Sequence, residues 1–268
     1  MSGLSPLQVR PGTQYGRVLH VTPQSAKWSY VGFDLLRLRA GEEAGANPSD
    51  VETCLVLISG RARIKSGEKD FGVVGERRDP FQGLPWSVYT PAQAHWTVAA
   101  ETDTELAVCM APAHGKLEAR LIGPDKVHQE VRGKGSNTRH VTNILPEWEP
   151  AENLLVVEVI TPGGNSSSYP PHKHDQDNLP HESQLEEIYY HRIRPAQGFA
   201  FQRIYTEDGS LDETITVHDG EVTLVPKGYH PCAALHGYDL YYLNVMAGPQ
   251  RIWKFHNQKE HEWLLAKA

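Results

Sequence analysis

The feature that most limits what this chain can fold into is its punctuation. Short apolar runs follow one another along most of its length. Each is cut by Gly, Pro, Asn or Asp before a helical period can establish itself. The runs are YVGFDLLRLRAG (30–41), ETCLVLISGRARI (52–64), WTVAAETDTELAVCMAP (96–112), NLLVVEVITPGG (153–164), GFAFQRIYTEDG (198–209), ETITVHDGEVTLVP (213–226) and YDLYYLNVMAG (238–248). They are rich in Val, Ile, Leu, Tyr and Thr, which suit a pleated, half-buried surface. His218, Asp219 and Gly220, between two alternating runs, predict a hairpin turn. Many short strands separated by turn signals imply an all-β sandwich or barrel. Only 124–131 and 260–268 offer a short helix.

At 268 residues the chain is long enough for two such units. Its halves run in a similar order. In the first, a Gly- and Glu-containing loop leads to ETCLVLISG and later to TPAQAHW (90–96). In the second, a histidine-bearing loop leads to LEEIYYHRI and later to VPKGYHP. This weak internal repeat predicts a duplicated β unit, with domains at 1–122 and 153–268. Residues 123–152, rich in Gly, Pro and charge, read as the connector.

A formal charge of −7 argues against a nucleic-acid partner, which would need a basic patch. No run approaches the roughly 20 apolar residues of a membrane span. The opening MSGLSPLQVRPG lacks a signal-peptide pattern, so the expectation is a soluble, cytoplasmic protein. Cys54, Cys109 and Cys232 are scattered and odd in number, so they read as reduced core residues. Trp86, Trp96 and Trp253 read as packing residues. Six Trp and Tyr-rich strands suit a homo-oligomer.

Of the 14 histidines, nine follow residue 150, which points to the second half as the seat of chemistry. In PPHKHDQ, His172 and His174 are two apart and on a strand would aim both imidazoles at one point. A carboxylate from LEEIYYHR, Glu186 or Glu187, can complete the corner, since one of the two faces inward. The turn Pro226-Lys227-Gly228 can deliver His230 from a further strand. Three imidazoles and a carboxylate suit one divalent transition metal, zinc first and Mn, Fe, Ni or Co as alternatives, rather than Ca or Mg. In the first half Glu52 and His95 fall at equivalent places. The stretch EEAGANPSDV there offers no imidazole, so that half is expected to be a degenerate copy without metal.

These motifs resemble the cupin signatures, HxH followed by Glu and then PxGxxH. The loop before the acid is longer here, and PKGYH has one residue fewer. The resemblance implies two tandem cupin (double-stranded β-helix, jelly-roll) barrels. It favours Glu187, which precedes Ile188 at the start of a strand, as the fourth ligand beside His172, His174 and His230. Longer phrases are similar to the 5-deoxy-glucuronate isomerase family of inositol catabolism, related to the 5-keto-4-deoxyuronate isomerases. They are RDPFQGLPWSVYTP (78–91), RHVTNILPE (139–147), LEEIYYHRIRPAQGFAFQRIYT (185–206) and VPKGYHPCAALHGYDLYYLNVMAG (225–248).

That likeness implies an aldose–ketose isomerase, converting 5-deoxy-D-glucuronate to 5-dehydro-2-deoxy-D-gluconate with a metal stabilising an enediolate. A base is needed, and Glu186, Lys227 and Tyr229 are the leading candidates, with His181, Tyr241 and Tyr242 behind them. The substrate carboxylate calls for an arginine: Arg192, Arg203 or Arg194. Because side chains alternate, only one of Gln202 and Arg203 can look inward. Tyr189, His191 and Tyr241 complete the expected substrate contacts, with His191 on the face of Glu187. A metal-dependent dioxygenase and a sugar-binding module with a structural metal are the competing readings.

Overall fold

The computed structural model describes residues 4–267. The chain divides into two compact units. One comprises Met1–Arg10, Gln129–Thr142 and Val157–Ala268; the other comprises Pro11–His128 and Asn143–Val156. The sequence placed simple cuts at 122 and 153, but each unit is assembled from separated segments. The presumed connector is also not irregular, since it holds the strands His128–Arg132 and Arg139–Leu145.

Both units are nearly all strand. In the first, a seven-stranded sheet runs in the order Gln8–Val9, Val222–Val225, Glu186–Arg194, Asp239–Ala247, Leu155–Thr161, Arg139–Leu145, His128–Arg132. A four-stranded sheet, Ser166–Ser167, Cys232–Ala234, Phe199–Tyr205, Asp212–His218, lies against it. In the second unit the order is Arg120–Ile122, Trp86–Thr90, Val51–Ser59, Thr104–Pro112, Gly32–Leu38, Gly16–Val21. Its companion sheet is Glu43–Ala46, Trp96–Ala100, Ala62–Ser66, Lys69–Val74.

The repeat read from the sequence is visible in these orders. The strand starting Val51-Glu52 and the strand starting Glu186-Glu187 occupy the same place in their sheets. Glu52 pairs with Ala111, and Glu187 with Met246, each near the end of the neighbouring strand.

The sequence pattern explains the layering. Outer strands such as Ala62–Ser66 alternate buried and exposed residues, because one face meets the core and the other meets water. The central strands Val51–Ser59 and Asp239–Ala247 are buried along nearly their whole length, which is why they read as continuous apolar runs. In the second unit Leu36, Leu55, Ile64, Val98 and Val108 meet in one apolar cluster drawn from both sheets, with Trp96 as the largest member.

Some local expectations change. Residues 124–131 are not helical, since the strand His128–Arg132 begins within them. The C-terminal helix exists as a 3-10 segment, Lys259–Lys267. His218–Gly220 is a turn with Gly220 at φ 83°, but it closes no hairpin. The strands on either side of it belong to different sheets, and Gly220 N–H donates to His191 C=O (2.9 Å) as the chain crosses over. The three cysteines are free and buried, and burial pushes the Cys54 thiol up to about 12. Among the described residues no helix is long and apolar enough to cross a membrane.

Candidate metal centre and its cavity

His172 and His174 sit on either side of Lys173 in the first unit. His172 belongs to the short strand His172–Lys173, which pairs with His256–Asn257. His230 follows the Pro226–Gly228 turn. There Gly228 takes φ 89° and leaves no room for a side chain against the Tyr205 backbone. The ligand atoms of His172, His174 and His230 all lie within 4.8 Å of one another, close enough to hold one metal ion.

Each ring is aimed by the backbone. His174 Nδ1 lies 3.1 Å from Leu185 C=O, His230 Nδ1 lies 2.9 Å from Gly228 C=O, and His172 bonds to the Pro170 backbone. With one nitrogen donating to a carbonyl, the other keeps a lone pair directed at the cluster.

Glu187 supplies the carboxylate. Its Oε2 lies 3.2 Å from both His174 Nε2 and His230 Nε2. Asn244 Nδ2 donates to its other oxygen, fixing the group. His230 Nε2 is buried and makes no hydrogen bond of acceptable geometry, despite that 3.2 Å approach. A buried nitrogen left without a partner is costly, and a cation at the centre of the cluster would satisfy it. The donor set therefore fits a metal on grounds internal to the structure.

The electrostatics agree. Burial alone would raise the Glu187 carboxyl, but the His174 and His230 imidazoles facing it outweigh burial and hold it at about 2. Burial, reinforced by its two neighbouring imidazoles, keeps His172 well below the ordinary histidine range. Burial also pushes His174 down, but the Glu187 carboxylate outweighs that and lifts it.

Glu186 is the outward member of the pair. It is buried, but it lies on the opposite face of the strand from Glu187, Tyr189 and His191. Lys227 is exposed and bonds to Ser210 Oγ (3.3 Å). Tyr229 donates to Glu207, and burial with that carboxylate keeps it protonated. Both surround the 206–210 loop and not the histidines.

The arginines expected to hold substrate are committed elsewhere. Arg203 forms a fork with Asp212 (2.8 Å twice) on the exposed face, while Gln202 turns inward to His191. Arg192 pairs with Asp219 (2.8 Å) and Arg194 with Asp239 (2.8 Å). Tyr241 donates to Glu158 (3.0 Å) on the far face of its strand.

Tyr189, expected to contact substrate, faces the same side of its strand as Glu187. It lines a narrow cavity beside the cluster, its hydroxyl 2.8 Å from Ser168 Oγ. The cavity holds about 40 Å³ of space for water-sized molecules. Its walls also include Arg139, Tyr242, Asn244 and Trp253, none of them expected as part of the metal corner. Trp253, read as packing, is therefore a cavity residue. Arg132 and Arg139 come from the stretch read as a connector.

His191 lies deeper on the same face, fully buried, with Nε2 3.2 Å from Gln202 Oε1 and from Thr223 Oγ1, and Nδ1 unpartnered. Burial drives its pKa down to about 3, opposed only by the Gln202 bond. The unfolded imidazole takes a proton near 6.5, whereas the folded one resists until about 3. Stability from this group is thus complete above about pH 6.5 and is lost as pH falls toward 3, by about 1.4 kcal/mol per unit. Urea unfolding between pH 7 and pH 5 should show a shallower decline in His191→Gln than in wild type. An unchanged slope would mean His191 is not held neutral.

In the other unit the position equivalent to Glu187 has a different task. Glu52 is fully buried and accepts from Tyr89 Oη (2.5 Å) and from the backbone N–H groups of Glu152 (2.8 Å), Asn153 (2.6 Å) and Leu154 (2.6 Å). His95 is exposed and does not accompany it.

Residues 7–264 match the KduI/IolB family. The chain belongs to this family. The 5-deoxy-glucuronate isomerase of Geobacillus kaustophilus HTA426 is 55% identical over 251 residues, spanning 93% of this chain and 91% of that protein. The protein of the same name from Listeria monocytogenes serotype 4b is 46% identical over 263 residues, with 97% and 96% covered. The crystal structure of an IolB-like protein from Salmonella typhimurium LT2 superposes with a TM-score of 0.95 at 49% identity, covering 97% of this chain and 99% of that one. Oxalate decarboxylase from Lactobacillus farciminis gives 0.66 at 12% identity, covering 100% and 92%, a likeness that carries the fold alone. With these neighbours, the KduI/IolB chain is an all-β protein of two tandem cupin barrels.

Proposed function

We propose that this protein is a metal-assisted aldose–ketose isomerase of inositol catabolism, acting in the cytoplasm on 5-deoxy-D-glucuronate to give 5-dehydro-2-deoxy-D-gluconate. The observation that carries the reading is a cluster of three imidazoles, two of them 3.2 Å from the Glu187 carboxylate, beside a narrow cavity. It occurs in a chain aligned over nine-tenths of its length with isomerases of that name. His172, His174, Glu187 and His230 would hold one divalent ion, and zinc suits this donor set best. When bound, the ion supplies Lewis-acid stabilisation for the negative charge that builds on two adjacent oxygens as the carbonyl moves.

The chain's own residues do the rest. Asn244 orients Glu187 by donating to one of its oxygens. Tyr189 is held protonated by burial and by the Glu187 charge, so its hydroxyl can donate a hydrogen bond, or a proton, to an oxygen in the cavity. Tyr242, also kept protonated by burial, offers a second donor on the same wall. The reaction removes a proton from the hydroxyl-bearing carbon next to the aldehyde and adds one at the former aldehyde carbon.

The test is proton NMR of 5-deoxy-D-glucuronate with purified, metal-loaded protein. The aldehyde hydrate and hemiacetal signals should be replaced by those of a hydroxymethyl ketone. Fully metal-loaded protein that leaves the acid unchanged would refute the reading.

A further inference from the structure

We propose that Arg139 is the residue that binds the substrate carboxylate and selects uronates over neutral sugars. This rests on the isomerase reading above and extends it to the opposite end of the cavity.

The argument begins with the sheet. Strand alternation puts Glu187 and Tyr189, then Tyr242 and Asn244, then Val159, then Arg139 and Val141 on one inward face. In the sheet order, the Glu186–Arg194 strand and the Arg139–Leu145 strand are separated by two strands. Three interstrand steps place their backbones about 14 Å apart, at roughly 4.8 Å per step. Arg139 and Glu187 both line the cavity that lies over this gap. A sugar acid with its aldehyde end at the histidines would direct its carboxylate toward the arginine.

Charge accounting then singles out Arg139. Arg132, the other cation of the cavity wall, is taken by Glu130, whose Oε1 accepts from its Nε (3.0 Å) and Nη2 (2.6 Å). Arg192, Arg194 and Arg203 each have a carboxylate partner. Among the described residues Arg139 donates one bond, from Nη1 to Asn137 C=O (3.0 Å), and forms no ion pair. It is half-buried, and burial works against its charge, yet a guanidinium stays protonated. A partly buried cation with idle donors is unfavourable alone and favourable once an anion fills the fork. Gly133 gives it space, since a Cβ there would lie 2.7 Å from Arg139 Nη1.

The experiment compares wild type, Arg139→Gln and Arg139→Lys, each checked for metal content and thermal unfolding. The substrates are 5-deoxy-D-glucuronate and its neutral analogue with a hydroxymethyl group in place of the carboxylate. Arg139→Gln should lose on the order of 100-fold in kcat/KM for the acid, chiefly through KM, as expected for a charge-assisted pair. Its metal content should not change, and its loss on the neutral sugar should be much smaller than on the acid. Arg139→Lys, which keeps the charge without the fork, should fall between the two. Equal losses on acid and neutral sugar, or an acid preference retained by Arg139→Gln, would overturn this assignment alone. A wild type that isomerises neither compound would overturn the isomerase reading and this inference with it.

Discussion

Replacing His174 by alanine is expected to release the metal and to lower kcat/KM on the order of a thousandfold, because a Lewis acid worth several kcal/mol is withdrawn from the transition state. His174 is chosen because its loss does more than remove one donor. Its ring is 2% exposed, lies 3.2 Å from Glu187 Oε2, and is fixed by Leu185 C=O. Without it, the cluster loses one of its three imidazoles, and Glu187 Oε2 loses one of the two rings that face it. Metal analysis of the variant, beside steady-state kinetics, checks both parts. A variant that keeps stoichiometric metal would show that His174 is not a ligand. One that keeps near-wild-type turnover without metal would show that the ion does not take part in the reaction.

Replacing Glu52 by alanine should give the largest loss of stability in the N-terminal unit, with no change in metal content. The carboxylate accepts four hydrogen bonds, three of them from consecutive backbone N–H groups at 152–154. Alanine leaves those donors and the Tyr89 hydroxyl buried without partners. Each such loss is charge-assisted, and breaking a buried arrangement of this kind costs about 3–5 kcal/mol in comparable cases. That is a large share of a typical folding free energy and corresponds to a fall in Tm of roughly 10 °C. Glu52→Gln keeps one acceptor oxygen and should fall part of the way. Calorimetry on the metal-loaded protein separates these outcomes, and a Tm within a degree of wild type for Glu52→Ala would contradict the structural role. The position equivalent to Glu187 thus fastens a backbone segment in the N-terminal barrel.

Which parts of this were legible in the sequence follows from the range over which each signal acts. The His172–His174 pair and the Pro226–His230 turn are local patterns, and a strand's period of two makes their directions readable. The preference for Glu187 over Glu186 followed from likeness to known motifs; in the structure Glu187 pairs with Met246 and its carboxylate lies 3.2 Å from His174 and His230. Once Glu187 faces inward, Arg192 and Arg194 must face outward, so their pairing with Asp219 and Asp239 was implicit in the same alternation.

Tyr241 and Tyr242 could not be separated without knowing that His191 lies opposite Tyr242. Arg139 was hidden for a different reason. Its strand follows Gly133 and Gly135 in a polar stretch, so local composition spoke for a loop while the sheet's pairing made a strand. Lys227 and Tyr229 sit within three residues of His230, but the tight turn at Gly228 sends them toward Glu207 and Ser210.

The central claim, that side chains at 172, 174, 187 and 230 surround one cation, is tested most directly by X-ray absorption spectroscopy of the metal-loaded protein. The expected spectrum has three imidazole nitrogens at about 2.0–2.1 Å and a carboxylate oxygen at about 2.0–2.2 Å, with the imidazole contribution reduced in His230→Ala. A spectrum without three imidazoles, or one that His230→Ala leaves unchanged, would contradict it.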